Sequence, residues 1–300
     1  GDVPYAPFED AILPIQIDEL PTDLVFAIHL GDIKGGAAPC DAAVYRKIAG
    51  MLAKSAVPMF IIPGDNEWND CPDPDAAWKQ WIMHLDRFDE RWELPFKVVR
   101  DSRQSQNLAF VHQQVLFIAI HVVGGRVHDA AEWKQRHADC LGWVKTQLAE
   151  HGSAVRSAVI FGHARPSPNQ ADFFTPFSDV AAEFGKPVLY LHGDGHNWIK
   201  DRPFEAKNVV RVQVDQGRLA PPLRISVTDS PDDPFHFDRR LEQQPVIHQH
   251  PVDGLTTGPA TGSLVIDGGA GGSDAQMIFR RFTELAGGET SELSLYFWGR

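Results

Sequence analysis

Residues 24–34 read LVFAIHLGDIK, an apolar run that ends in a glycine and an aspartate. Residues 57–67, VPMFIIPGDNE, repeat this arrangement. Continuous apolar runs of this length are typical of buried strands, and a glycine after the strand permits a tight turn that points the next side chain away from the strand's carboxyl edge. A helix-like apolar period between the two runs predicts an α/β fold with polar side chains at one edge of a sheet.

The alternation of strands and helices continues along the chain. Further strands are predicted at 108–112, 115–123, 157–161 and 187–191, and helical periods at 44–52, 78–85 and 130–150. Beyond residue 207 the pattern changes to short alternating strands at 209–214, 223–227 and 235–237, which predict a second sheet packed against the first. The expected fold class is therefore α/β, a β-sandwich of two mixed sheets flanked by helices.

The composition changes again near the carboxyl end. Residues 1–242 are predicted to form the main domain, and residues 243–261, rich in proline, glutamine and glycine, form a linker. A strand at 262–269 and a helix at 276–285 predict a short, incomplete β-α unit over residues 262–300.

Charge and cysteine content limit the classes of partner. The formal charge is -12, which disfavours wide contact with nucleic acid or anionic lipid. The longest apolar run, Val115 to Val123, is too short to cross a bilayer. Cys40 and Cys71 each follow a polar cluster, so either a disulfide, which would indicate a periplasmic or secreted protein, or two free thiols is expected.

Five polar clusters are candidates for chemistry. In order they are Gly1-Asp2-Val3-Pro4-Tyr5, Gly31-Asp32-Ile33-Lys34, Gly64-Asp65-Asn66-Glu67-Trp68, Gly162-His163-Ala164-Arg165-Pro166 and Gly193-Asp194-Gly195-His196-Asn197. A single Gly-Asp pair after a strand is more often a capped turn than a ligand site. Five clusters at strand ends can converge, and carboxylates with imidazoles suit Mn, Fe, Zn or Mg.

The order of these clusters resembles that of the calcineurin-like metallophosphoesterases over about residues 1–240. That family has the blocks Asp-x-His, Gly-Asp-x-x-Asp, Gly-Asn-His-Asp/Glu, a lone His and Gly-His-x-His. The match falls on Asp2, Asp32, His163 and His196. The resemblance implies one or two divalent ions, drawn from Mn, Mg, Fe, Zn or Ca, with ligands Asp2, Asp32, Asp65, Asn66, His163, Asp194 and His196.

Three positions depart from the family pattern. Pro4 stands where the first block has its histidine, so the first ion keeps only Asp2, Asp32 and His196. In the third block either Asp65 or Asn66 is the ligand, depending on the register. Asp194 replaces a histidine, which makes the site harder and shifts its preference from Zn toward Mg, Mn or Ca.

The resemblance also implies that a cation-activated water attacks the phosphorus of a phosphate ester. The family uses a third-block histidine to protonate the leaving group, whereas Asn66 has no titrating proton. We expect His121 or His192 to take this catalytic role, or only good leaving groups to be accepted. Arg165 is predicted to hold a phosphate oxygen or to form a surface salt bridge.

Two functions follow from these residues. The first is metal-dependent hydrolysis of a small-molecule phosphate mono- or diester. The alternative is a catalytically impaired member of the fold that binds a phosphate ligand or a protein partner, as the lost ligands at Pro4 and Asn66 would allow. The oligomeric state has no sequence signal. The run Gly262 to Ile266, with Glu284 to Gly288, resembles the start of a cyanophycinase-like peptidase domain, to which no activity is assigned.

Overall fold

The computed structural model describes residues 1–218 and 220–241, together with the backbone of residues 276–278 and 296–298. Contacts along the chain define two compact units, Gly1–Gln244 and Pro245–Arg300. Within the described residues, no helix has the length and apolar character that crossing a membrane requires.

The elements are numbered in chain order. The strands are Ala27–His29 (β1), Met59–Ile61 (β2), Val99–Arg100 (β3), Leu108–His112 (β4), Val115–Ala119 (β5), Ser157–Phe161 (β6), Val188–His192 (β7), Ile199–Asp201 (β8), Val209–Gln213 (β9), Arg224–Val227 (β10), Phe235–Asp238 (β11), Gln276–Ile278 (β12) and Tyr296–Trp298 (β13). The α-helices are Glu9–Asp18 (α1), Ala42–Leu52 (α2), Pro74–Leu85 (α3), Ala130–His151 (α4) and Ala171–Phe184 (α5).

The first unit contains one large sheet and two strand pairs. The large sheet has seven strands in the order β3-β4-β5-β6-β7-β9-β8. Its central strands β5, β6, β7 and β9 run parallel, and antiparallel strands close both edges. Strands β1 and β2 form a separate parallel pair, and β10 and β11 an antiparallel pair. Every residue of β6 and β7 is buried, as expected for parallel strands covered on both faces.

Three apolar layers hold this unit together. One layer packs α4 and α5 on the outer face of the large sheet, with Ile160 and Phe173 at its centre. The middle layer joins the other face of that sheet to β1 and β2 through residues such as Phe60 and Phe161. The third packs α1, α2 and α3 on the far side of β1 and β2, around Trp81. The structure therefore confirms an α/β sandwich flanked by helices.

Aspartates begin three of the helices. Asp41 accepts hydrogen bonds from the backbone N–H groups of Ala43 and Val44, and Asp129 does the same for the first turn of α4. Asp73 caps α3, in which a proline takes the first helical position. These side chains satisfy N–H groups that have no partner inside the helix, so the local sequence fixes where each helix starts.

Some sequence predictions for this unit were wrong. The second layer is two separate strand pairs rather than one mixed sheet, and β9, predicted to belong to it, joins the large sheet. Val209 and Val212 of β9 are fully buried where this strand pairs in parallel with β7. The apolar pattern also does not predict α1 and α5, each of which contains a proline, Pro14 and Pro176.

The second unit has one described feature. Strands β12 and β13 pair antiparallel, with Gln276 opposite Trp298 and Ile278 opposite Tyr296. The helix predicted from residue 276 therefore does not begin there, because this apolar segment pairs with an aromatic strand instead. The linker at 243–261, the strand at 262–269 and the peptidase-like resemblance lie outside the described residues, and the predicted domain boundaries stay predictions.

Candidate metal centre

Four of the predicted ligands lie on unusual backbone. Asp2, Asp32, Asp194 and His196 have φ angles of 58°, 58°, 66° and 64°, in the left-handed region. Residues other than glycine adopt this region rarely and at a cost, and such residues concentrate at functional sites, where surrounding structure enforces them. The strain coincides with the clusters that the sequence identified at strand ends.

His163 lies at the centre of the group and is fully buried. Its Nδ1 atom is 2.6 Å from the carbonyl oxygen of Leu30, so Nδ1 carries the proton and donates it to that oxygen. The other ring nitrogen, Nε2, lies 3.0 Å from Oδ1 of Asp65 and 3.4 Å from Oδ1 of Asp32. A backbone acceptor on one nitrogen orients the ring and leaves the other free to bind a cation.

Two overlapping sets of side chains have ligand spacing. One set is Asp2, Asp32 and His163, the other is Asp65, His163 and Asp194, and within each set the ligand atoms lie within 4.8 Å of one another. Among residues 1–218 and 220–241, Oδ2 of Asp2 is buried without a hydrogen-bond partner, and Oδ1 of Asp65 and Nε2 of His163, 3.0 Å apart, have no partner other than each other. Buried polar atoms are normally paired, so these three atoms fit a bound cation.

The electrostatics of the metal-free chain support the same interpretation. Burial, together with the neighbouring carboxylates of Asp65 and Glu67, raises the pKa of Asp32 well above its usual value, although His163 opposes this. Burial would lower the pKa of His163, but the carboxylates of Asp32 and Asp65 outweigh it and raise that pKa well above the ordinary value. A divalent cation would relieve the repulsion between these carboxylates.

In the third cluster, the structure matches the alignment without a gap, in which Asp65 is the candidate ligand. Asp65 directs Oδ1 toward His163, whereas the side chain of Asn66 turns the other way and donates from Nδ2 to Oδ2 of Asp32 at 2.5 Å. The backbone N–H of Asn66 also donates to Oδ1 of Asp32, at 3.0 Å. Asp65 therefore lies among the candidate ligands, and Asn66 acts as a hydrogen-bond donor to one of them.

His196 and Asp2 meet on the side of the centre away from Asp65. Nε2 of His196 lies 3.4 Å from Oδ1 of Asp2, and the His196 side chain is 46% exposed. The hydrogen bond with Asp2 raises the pKa of His196. The phenol oxygen of Tyr5 contacts both, at 3.2 Å from Oδ1 of Asp2 and 3.3 Å from Nε2 of His196, and the sequence analysis missed this residue. The sequence feature that could have identified Tyr5 is its position at the end of the opening cluster, three residues after Asp2.

Arg165 lies at the rim of the centre. Its backbone N–H donates to Oδ2 of Asp194 at 3.4 Å, and its Nε lies 3.9 Å from the same oxygen. The side chain is 62% exposed. A guanidinium in this position is free to move toward a bound anion, because an exposed ion pair at this distance contributes little to stability.

Burial argues against the proton-donor role predicted for His121 and His192. The ring of His121 stacks on Trp78 at 4.7 Å and contacts Trp68, and burial lowers its pKa well below the ordinary value. His192 is fully buried against Tyr190, and burial lowers its pKa to about 3. Burial disfavours the protonated form of both rings and closes them to solvent, so neither is placed to protonate a leaving group.

A disulfide joins the loops that follow Asp32 and Asp65. Cys40 and Cys71 are bonded, 31 residues apart in sequence, and Cys140 is a buried free thiol. Of the two outcomes expected from the sequence, the structure has the disulfide. The bond ties together two loops that carry candidate ligands.

Gly64 allows the two ligand loops to approach each other. A Cβ atom at this position would lie 2.2 Å from both the backbone nitrogen and Oδ1 of Asp32. We expect Gly64→Ala to displace Asp32, to weaken Mn²⁺ binding and to lower the free energy of unfolding by about 1–3 kcal/mol.

Gly142 provides the matched control, because a Cβ there meets nothing within 4 Å and the residue lies inside α4. Gly142→Ala should stabilise the protein by roughly 0.5–1 kcal/mol and leave Mn²⁺ binding unchanged. The measurements are urea unfolding and Mn²⁺ titration. Equal behaviour of the two variants would contradict the role given to Gly64.

No protein-family model matches the chain, and no curated protein does. Among solved structures, GAP50, the anchor in the inner membrane complex of Plasmodium, is 13% identical with a TM-score of 0.45, over 80% of this chain and 76% of that one. TT1561 of Thermus thermophilus is 11% identical with a TM-score of 0.44, over 79% and 95%. A 5'-nucleotidase from Candida albicans is 14% identical with a TM-score of 0.40, over 77% and 46%.

Identities and scores this low do not establish a shared family or activity. The positions of the polar side chains describe the centre directly. Loops that follow β1, β2, β6 and β7 meet the opening residues at one edge of the two sheets, with His163 in contact distance of Asp32 and Asp65. The described part of the chain therefore brings the predicted polar clusters together at one edge of an α/β sandwich.

Proposed function

We propose that this protein is a metal-dependent phosphoesterase that hydrolyses a small-molecule phosphate mono- or diester. The observation that carries the proposal is the convergence of four aspartates on the buried His163, because carboxylates at this spacing repel one another unless a cation lies among them. A bound divalent cation would lower the pKa of a water molecule and neutralise charge on the phosphoryl oxygens.

The residues present suit a hard cation. Asp65 and Asp194 supply carboxylate oxygens, and His163 supplies one nitrogen. Carboxylate-rich sites with a single imidazole favour Mg²⁺ or Mn²⁺ over Zn²⁺. Arg165 lies beside Asp194 with an exposed guanidinium, where it can bind a phosphate oxygen of the ester and orient the phosphorus toward the centre.

The chain should release p-nitrophenol from its phosphate mono- or bis-ester only with a divalent cation present. Esters of p-nitrophenol are the suitable probes, because p-nitrophenolate leaves without receiving a proton. The chain is assayed at pH 7 with Mn²⁺, Mg²⁺, Zn²⁺ or Ca²⁺, and again after excess EDTA, which should reduce turnover to the uncatalysed rate. The effect should reverse when the cation is restored.

A second candidate function is binding of a phosphate ligand without turnover. The observation that favours it is the pairing of Asp32 with Tyr5 and Asn66, which leaves fewer ligand atoms than a two-ion centre needs. A chain that binds Mn²⁺ and inorganic phosphate but turns over neither ester would favour this candidate. A chain that binds neither Mn²⁺ nor inorganic phosphate would contradict both functions.

A further inference from the structure

The two sides of the centre differ in how their polar atoms are paired. On one side, Oδ2 of Asp32 accepts two hydrogen bonds, from the Tyr5 hydroxyl and from Nδ2 of Asn66, each at 2.5 Å. Oδ1 of Asp32 accepts the backbone N–H of Asn66 at 3.0 Å. Two neutral side chains therefore satisfy a buried carboxylate that the sequence analysis assigned to a cation.

The Tyr5 oxygen lies among the side chains expected to hold the first ion. Besides Asp32, it is 3.2 Å from Oδ1 of Asp2, 3.3 Å from Nε2 of His196 and 3.2 Å from Nδ2 of Asn66. A cation bound by Asp2, Asp32 and His196 would have to lie where these three converge. The phenol oxygen contacts a polar atom of each of the three, so an ion at that place would meet it.

Tyr5 is held in this position by its own contacts. Its backbone N–H donates to Oε2 of Glu9 at 2.6 Å, and Glu9 is fully buried, with Arg218 3.6 Å from its other oxygen. The Tyr5 ring meets the His196 ring edge-on, with centroids 5.5 Å apart. These contacts fix the ring at both ends, so the hydroxyl is built into the centre.

The opposite side has the reverse character. Oδ1 of Asp65 and Nε2 of His163 are buried and, in the described chain, have no hydrogen-bond partner other than each other, and Asp194 completes their set. No neutral side chain donates a hydrogen bond to these two atoms in the described chain, whereas Tyr5 and Asn66 both donate to Asp32. A cation gains most where carboxylate and imidazole lone pairs have no competing donor.

We propose that the Tyr5 hydroxyl, supported by the Asn66 amide, fills the first cation position, so that the centre takes one divalent ion, held by Asp65, His163 and Asp194. The proposal rests on the proposed function only in taking the centre to bind a cation. Tyr5 is a positioning residue, because its single hydroxyl proton is donated to Asp32, its oxygen lies 3.2 Å from Asp2, and it excludes a second ion.

The test measures Mn²⁺ stoichiometry on the full chain, by equilibrium dialysis followed by metal analysis and by electron paramagnetic resonance. The wild-type chain should bind one Mn²⁺ and give the spectrum of an isolated ion. Tyr5→Phe removes only the oxygen, and Tyr5→Ala also removes the ring. Both should bind two Mn²⁺, and their spectra should show exchange coupling, since paired ions in such sites lie about 3.5–4 Å apart.

Tyr190→Phe is the matched control. The Tyr190 hydroxyl is buried and donates to the carbonyl oxygen of Ala164 at 2.7 Å, so the variant loses one buried phenol hydrogen bond that reaches neither Asp2 nor Asp32. It should keep one Mn²⁺. Two Mn²⁺ or none in the wild-type chain, one in both Tyr5 variants, or loss of Mn²⁺ from Tyr5→Phe would each overturn the proposal.

Failure of this proposal can be told apart from failure of the proposed function. Stoichiometry and spectrum are measured without substrate. One Mn²⁺ per chain with no ester hydrolysis would sink the phosphoesterase activity and leave the role of Tyr5 intact. Hydrolysis by a wild-type chain that holds two coupled Mn²⁺ ions would support the phosphoesterase activity and contradict the role of Tyr5.

Discussion

Replacing His163 with asparagine is expected to lower Mn²⁺ affinity and the turnover of p-nitrophenyl phosphate esters by at least about 100-fold. Loss of a residue that only supports a ligand costs about 10- to 100-fold, and removal of the ligand itself costs more. His163 is buried, and its Nε2 faces the carboxylates of both Asp32 and Asp65, so no exposed side chain can replace it.

Asparagine is chosen because its amide nitrogen takes the place of Nδ1 and can still donate to the carbonyl oxygen of Leu30. The variant therefore loses Nε2 and keeps the contact that holds the side chain. His137→Asn is the control, since His137 is also buried but pairs through Nδ1 with Asp172.

Isothermal titration with Mn²⁺ measures the affinity, and circular dichroism checks that each variant is folded. A folded His163→Asn chain with unchanged Mn²⁺ affinity would remove His163 from the centre and the proposed function with it. If His137→Asn lost affinity to the same degree, the effect would be one of folding rather than of ligation.

Removing the disulfide is expected to lower the free energy of unfolding by roughly 3–4 kcal/mol, as calculated from chain entropy for a loop of this length. The bond between Cys40 and Cys71, which are 31 residues apart, closes a loop that includes α2 and β2. Without it the unfolded chain gains freedom, whereas the folded chain keeps most of its contacts. The variant Cys40→Ser with Cys71→Ser should therefore unfold at a lower urea concentration.

A reducing agent provides the control. Dithiothreitol should destabilise the wild-type chain by a similar amount and should not change the double variant, whose remaining cysteine, Cys140, is buried and unpaired. Unfolding is followed by tryptophan fluorescence in urea. Equal stability of the wild-type chain with and without dithiothreitol would show that the bond does not form in solution.

Local pattern was sufficient for much of the fold. The strands Leu108–His112 and Ser157–Phe161 are found at the predicted residues, and α4 ends one residue later than predicted. Continuous apolar runs and helical periods report which face of a segment is buried, and that depends on neighbouring residues alone. The same pattern failed for α1 and α5, because each contains a proline that argues against a helix.

The sequence also predicted some of the residues that form the centre. Asp2, Asp32, His163, Asp194 and His196 each follow a glycine in a polar cluster, and the structure brings them together. Strands that end at the same edge of a sheet place the residues after them side by side. The order of the clusters therefore predicts that their side chains converge, but it gives no distances between them. The sequence thus determined which segments meet.

Only the tertiary structure decided what each side chain does there. It directs Asp65 toward His163 and Asn66 toward Asp32. It also places the Tyr5 hydroxyl against Asp2 and His196 and encloses His121 among tryptophans. These outcomes depend on packing between segments distant in sequence, and on left-handed turns that rotate a side chain without altering the apolar pattern. Periodicity records burial along one segment, whereas the partner of a polar atom is set by whichever other segment packs against it.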